Sequence, residues 1–193
     1  ATQRGLSPRA LLLLSALLPG SNVGAAEAAP SSFDARAIAR LADPPLGLPP
    51  VPQPAVNHAT PAKVALGRDL FFDRRLSRNR TMSCAMCHLP EQGFTSNEMA
   101  TPIGVKGARL PRNAPSLYNV AYLPRLFMDL REENLEQQVL GPLFSPDEMA
   151  NPSVAFLLDT VRGAPEYAGR FEAVFARAVD LSAIGEALAA WER

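Results

Sequence analysis

Cys84-Ala85-Met86-Cys87-His88 constrains this chain more than any other stretch. C-x-x-C-H is the spacing of covalent haem attachment. Thiols three positions apart sit about one helical turn apart, which lets both form thioethers to one porphyrin edge. The adjacent imidazole then falls beneath the ring, where its nitrogen can bind iron as the proximal ligand. Competing uses of the pentapeptide are poorer. A structural zinc site takes four ligands, and beyond Cys84, Cys87 and His88 the chain offers only the distant His58. A thioredoxin-type pair needs a βαβ setting, and no such alternation is present. A disulfide across so short a loop would stabilise little.

Over 193 residues, a hydrophobic content of 47% supports a packed core, while 19 prolines predict long irregular connections. A formal net charge of +0 gives no electrostatic footprint for a nucleic-acid partner. Residues 1–28 read as an export signal. Arg4 and Arg9 precede a short apolar run, Ala10 to Leu18, and small residues follow through Ala28. That run is too short for a bilayer span of about 20 residues. Export to the periplasm agrees with the haem motif, because c-type haem is attached outside the cytoplasm. Residues 29–54 form a Pro-rich lead-in, with a short helix over 32–42 and then an extended strap over the domain surface.

From residue 55 onward the pattern is helical. Thr60 before Pro61 predicts a capped helix with Val64, Leu66, Leu70 and Phe71 inward. Arg68, Arg74, Arg75, Arg78 and Arg80 follow, either to hold haem propionates or as a solvated basic loop. After His88, glycines and prolines predict a long loop. Helix resumes beyond Arg131 and ends at Gly141-Pro142. Asn151-Pro152 predicts the next start, with Val154, Leu157, Leu158 and Val161 inward and Gly163 closing. A further helix begins near Pro165, carrying Tyr167, Phe171, Val174 and Phe175. Ser182 predicts the cap of a last helix with Ile184, Leu188 and Trp191 inward. No segment alternates with period two, so the fold is expected to be all-α.

These residues carry a family likeness. ALGRDLFFDRRLS at 65–77, MSCAMCHLPEQGF at 82–94, PRNAPSLYN at 111–119 and LEQQVLGPLFSPDEM at 135–149 occur in order around the haem motif. Together they make the chain resemble the bacterial di-haem cytochrome c peroxidases, including the maturase-like branch of methylamine utilisation. The resemblance implies a cytochrome c-like haem domain with long irregular loops at 55–193, matching the first of two haem domains. A second C-x-x-C-H is absent, so the C-terminal haem domain is expected to lie outside this chain.

Carried over position by position, the resemblance makes Cys84, Cys87 and His88 the holders of one haem c, with His88 on the iron. It makes Glu148 the acid-base group for peroxide cleavage and Gln138 its orienting amide. It gives Asn113 a part in an interdomain calcium site. Two departures matter. The loop histidine that caps the first haem in many members is Val105 here, which implies an open iron. The family's inter-haem tryptophan is Met128 here, which puts the usual electron route in doubt. The implied activity is reduction of hydrogen peroxide to water with electrons from a small donor protein, a cytochrome c or a copper protein, and a homodimer is compatible with it. Two alternatives stand beside this. One is a mono-haem electron-transfer cytochrome with Met128, Met99 or Met149 as sixth ligand. The other is a maturase-like enzyme oxidising a protein. His58 is read as a surface imidazole rather than a ligand.

Overall fold

The computed structural model describes residues 32–45 and 47–193; the expected export signal, residues 1–28, lies outside them. In chain order the helices are α1 (Ser32–Ala42), α2 (Pro61–Phe72), α3 (Leu135–Gln138), α4 (Leu140–Phe144), α5 (Val154–Arg162), α6 (Arg170–Phe175) and α7 (Leu181–Glu192). Strand-type pairing among the described residues amounts to isolated antiparallel bridges at Leu89–Thr95, Ile103–Arg109 and Leu126–Glu132. The fold is helical, as expected. None of the helices among the described residues is long and apolar enough to cross a membrane.

Helix α2 forms where its caps predict. Thr60 Oγ1 accepts from Lys63 N at 3.2 Å and Pro61 occupies the first turn, where a missing N–H costs nothing. Its inward face, Val64, Leu66, Leu70 and Phe71, is buried, each such side chain contributing about 1.5–3 kcal/mol. That face packs on α7, whose Ala183, Ile184, Ala187 and Leu188 are fully covered. Gly67 permits the contact, since a side chain there would collide with the Ala187 carbonyl. Gly185 does the same against the Glu136 carbonyl of α3. The result sets α7 between α2 and α3.

Helix boundaries depart from the sequence reading in four places. Gly141-Pro142 does not end a helix; it lies in the first turn of α4, which runs on to Phe144. Pro142 is tolerated because first-turn amides have no intrahelical acceptor. Helix α5 is capped by Ser153, whose side chain accepts from Phe156 N at 3.1 Å. Asn151 is instead buried and donates to the Leu76 and Leu143 carbonyls at 2.6 and 2.8 Å. Helix α7 is capped by Asp180, accepting from Ala183 N at 2.7 Å, while Ser182 lies inside it and donates to Glu186. The region from Pro165 opens with a 3-10 turn at Pro165–Tyr167, and α6 starts only at Arg170.

The Pro-rich segment is tied down rather than helical. Val51 N donates to the Leu41 carbonyl at 2.7 Å, and Tyr122 Oη donates to the Pro49 carbonyl at 2.6 Å.

Candidate functional site

The motif forms one 3-10 turn, Cys84–Met86. Cys87 N and His88 N both donate to the Cys84 carbonyl, at 3.1 and 2.9 Å, which brings both sulfurs and the imidazole to one side. The approach to the turn is fixed from below: Ser77 Oγ donates to the Arg74 carbonyl and accepts from the buried Met82 N. Beyond it, Gly93 and Phe94 take left-handed backbone, φ 73° and 55°. Phe94 N closes that turn onto the Leu89 carbonyl at 2.8 Å.

The turn turns the Phe94 carbonyl toward the histidine. His88 Nδ1 lies 3.0 Å from Phe94 O. A carbonyl only accepts, so Nδ1 carries the proton and Nε2 keeps its lone pair for a ligand bond. Burial pushes the imidazole below its ordinary pKa, against the effect of its backbone partners Phe94 and Pro115. Cys84 and Cys87 are not joined in a disulfide. Burial pushes Cys87 up to about 11, with the charge of Glu148 adding to it, and pushes Cys84 higher still. Neither behaves as a reactive thiolate.

Above the turn opens a cavity of about 1030 Å³, at the top of the size range for ligand sites. Cys84, Cys87 and His88 line one part of it and Gln138, Val139, Pro142, Glu148 and Met149 another. Residues from Leu110 to Arg131 supply the remaining wall. The size, the apolar lining, two thiols and an imidazole with a free Nε2 together fit a covalently attached haem.

The sequence-predicted residues can now be placed. Glu148 and Gln138, ten positions apart, line the same cavity as the motif. Val105 does not line it. Its segment is pinned instead: Val105 N donates to the Glu148 carbonyl at 3.0 Å, and Lys106 pairs with Asp147 at 2.9 Å. Met128 lies on the rim and is 70% exposed. Met99 is off the cavity, whereas Met149 lines it and is buried. His58 is exposed and away from it. Asn113 is at the cavity edge, its amide donating to the Ser96 carbonyl and accepting from Ala114 N. No group of three or more His, Cys, Asp or Glu suited to a metal ion occurs among the described residues.

The propionate role suggested for the early arginines finds no geometric support. None of Arg68, Arg74, Arg75, Arg78 and Arg80 lines the cavity, and Arg75 is held by Asp73 and Glu166. The arginines that do reach it are Arg112, Arg125 and Arg131, engaged with Asp129 and Glu133.

One cavity residue escaped the sequence reading. Glu192 lines it from the end of α7, with Oε2 sealed from solvent and without a hydrogen-bond partner. The periodicity held the signal, since Ile184, Leu188 and Glu192 fall at i, i+4 and i+8 on one face.

A sequence family described as di-haem cytochrome c peroxidase matches residues 61–193. The methylamine utilization protein MauG of Methylorubrum extorquens is 39% identical over 145 residues, covering 74% of this chain and 40% of that protein. The cytochrome-c peroxidase IdrP1 of a Pseudomonas species is 37% identical over 148 residues, covering 75% of this chain and 38% of the relative. Among solved structures, a MauG-like protein associated with microbial copper homeostasis superposes with a TM-score of 0.71 at 35% identity, over 78% of this chain and 45% of that one. The chain thus spans about two fifths of the length of the relatives it matches.

Proposed function

The chain belongs to the di-haem cytochrome c peroxidase family, and from that membership and the site we propose that residues 55–193 are a periplasmic haem peroxidase domain, the N-terminal one of a two-domain enzyme. The family's cofactor is c-type haem, which supplies a redox-active iron when attached here. In this reading Cys84 and Cys87 anchor it and His88 Nε2 is the proximal ligand.

The overall chemistry is hydrogen peroxide plus two electrons and two protons giving two waters. The electrons come from a small one-electron carrier, a cytochrome c or copper protein, and the protons from solvent. Glu148 takes the proton from one peroxide oxygen and delivers it to the other, so that the departing oxygen leaves as water. Gln138 donates an amide hydrogen bond that orients the peroxide for this transfer. The observation that carries the reading is the convergence of Glu148 and Gln138, distant in sequence from the motif, on the cavity of Cys84, Cys87 and His88.

The test is Glu148→Gln in the haem-loaded protein. Acid-base catalysis contributes about 10²–10⁴-fold, so peroxide consumption should fall by that range with haem attachment unchanged. A variant as fast as the parent removes Glu148 from the mechanism.

A second reading rests on Met149, which is buried and borders the cavity. A methionine on the iron would make the domain an electron carrier closed to substrate. Ferric spectra separate the two readings: high-spin iron that binds cyanide readily supports the peroxidase, and low-spin iron with a sulfur ligand supports the carrier. A protein in place of peroxide as the oxidised target, as in the maturase-like branch, would show as turnover of a partner protein rather than of an electron donor.

A further inference from the structure

Glu192 sits where a carboxylate is costly. Its Oε2 is buried, meets no hydrogen-bond donor and borders the cavity. An unpaired ionised carboxylate in such a place loses several kcal/mol of hydration with nothing in return. The Arg193 guanidinium relieves it only in part, because it is bonded to Glu136 of α3, at 2.8 Å, and not to Oε2. A purely structural side chain here would be apolar, like its stripe-mates Ile184 and Leu188, or hydrogen-bonded.

The groups around it are few. Arg193 on its own helix favours the carboxylate, and Glu136 on α3 opposes it. From the haem turn Cys84 is within its electrostatic reach, because the charge of Glu192 helps raise that thiol. On α2, which packs against α7, Lys63 is occupied by Asn57 and the His58 carbonyl. Arg68 and Asp69 face a different, shallower pocket. Across the cavity stand Glu148 and the paired arginines of the rim. Burial dominates, and it pushes Glu192 up to about 8.

Resting on the haem reading of this cavity, we propose that Glu192 is a proton-holding residue: its carboxyl binds one proton from solvent when one electron enters the attached haem from a one-electron carrier, and releases that proton when the electron leaves. Each reduction adds one negative charge near Cys84, and the Glu192 carboxylate offsets the repulsion by accepting one proton and becoming the neutral acid. Atoms and charge balance at one electron and one proton. Coulomb coupling is strong here because Oε2 is sealed from water. It is also reciprocal: if charge at the haem changes the proton affinity of Glu192, protonation of Glu192 changes the electron affinity of the haem by the same factor.

The experiment is a spectroelectrochemical titration of the full-length, haem-loaded protein from neutral pH to well above about 8, where the carboxyl starts ionised before reduction, following the haem attached at Cys84 and Cys87. The parent should lose reduction affinity as pH rises, approaching tenfold per pH unit, about 59 mV for one electron. Glu192→Gln should flatten that slope while covalent haem is retained. Redox-difference infrared spectra of the parent supply a check that needs no variant at this position. A protonated-carboxyl band should grow on reduction, and should persist in Glu148→Gln. A slope that survives Glu192→Gln, a pH-independent parent, or a band that disappears with Glu148→Gln overturns the proposal while leaving the haem site standing. A parent without covalently held haem overturns both.

Discussion

One side of the cavity is helical core and the other is loop, and the two are held by different forces. The motif turn rests on α2 and α7, where Leu66, Leu70, Phe71 and Leu188 have no solvent exposure. Opposite them, residues 110–131 contain no α-helix among the described residues, only a 3-10 turn at Val120–Tyr122. Asn119, Phe127 and Leu130 sit there in left-handed backbone. Polar contacts tie that wall: Leu126 N donates to the Glu132 carbonyl at 2.8 Å, and the Arg131 guanidinium lies 3.4 Å from the Phe127 ring centre. Leu123, Met128 and Leu130 are left exposed on it. Apolar burial therefore dominates the side that attaches a cofactor, while the side that closes over it has a smaller apolar anchor, Val120 and Leu126 against Leu135 and Ala189, and is otherwise shaped by surface ion pairs and turns. Stability and attachment should accordingly respond to changes in the first wall far more than to matched changes in the second.

The largest effect is expected at the motif itself. Replacing both Cys84 and Cys87 with serine should abolish covalent haem, read as loss of pigment after denaturing electrophoresis. Next is the core. Leu188→Ala should cost about 2–5 kcal/mol, as for other buried leucine truncations. Leu130→Ala, on the exposed loop, should stay within about 0.5 kcal/mol. Chemical denaturation of both variants breaks the comparison if the two losses come out alike.

How much of this was readable in advance follows the same division. The helical wall was legible because its periodicity and caps are local: Thr60-Pro61 and the Val64, Leu66, Leu70 and Phe71 face are where the pattern puts them. Cap choice failed where two candidates lay two positions apart. Asp180 and Ser153 took the positions with extended backbone, and Ser182 and Asn151 found other partners. The loop wall was not legible, because salt bridges such as Arg112–Asp129 and Arg125–Glu133 join residues that no period relates. For the same reason the arginines that border the cavity, Arg112, Arg125 and Arg131, went unread in the sequence. The convergence of Gln138 and Glu148 came only from family likeness; periodicity is silent on residues brought together by two short helices and a turn.

Each wall also has an aspartate set between arginine and another donor or a second arginine, which offers a closer comparison. Asp73, at the end of α2, has a side chain only 8% exposed. It accepts from Arg75 N at 2.8 Å, from the Arg75 guanidinium at 2.9 Å and from Tyr167 Oη at 2.7 Å. Burial works to raise its pKa, but these donors outweigh it and hold the carboxyl below its ordinary value. A depressed carboxylate stabilises the fold fully above its unfolded pKa, and that contribution is lost as pH falls through the folded one. Asp73→Asn should therefore cost about 1–3 kcal/mol at neutral pH. The deficit against the parent should close on acidification, and a deficit unchanged at acid pH would mean that packing rather than charge is at stake.

Asp129 should give the smallest effect. Arg112 and Arg131 both reach it, at 2.9 and 2.7 Å, and they too hold its carboxyl below the usual range. Counted by partners it rivals Asp73. Yet its side chain is 40% exposed and the arginines are more exposed still. Water solvates each charge as well as the partner does, and salt screens what remains. The sign of its pH dependence matches that of Asp73, with the contribution lost as pH falls, but its size should be close to the limit of measurement. Asp129→Asn should leave the denaturation midpoint nearly unmoved at neutral pH, and moderate salt should erase any shift in it, whereas the Asp73→Asn deficit should survive the same salt. A loop variant as damaging and as salt-resistant as the core one would mean that the rim of the cavity is held by buried electrostatics after all.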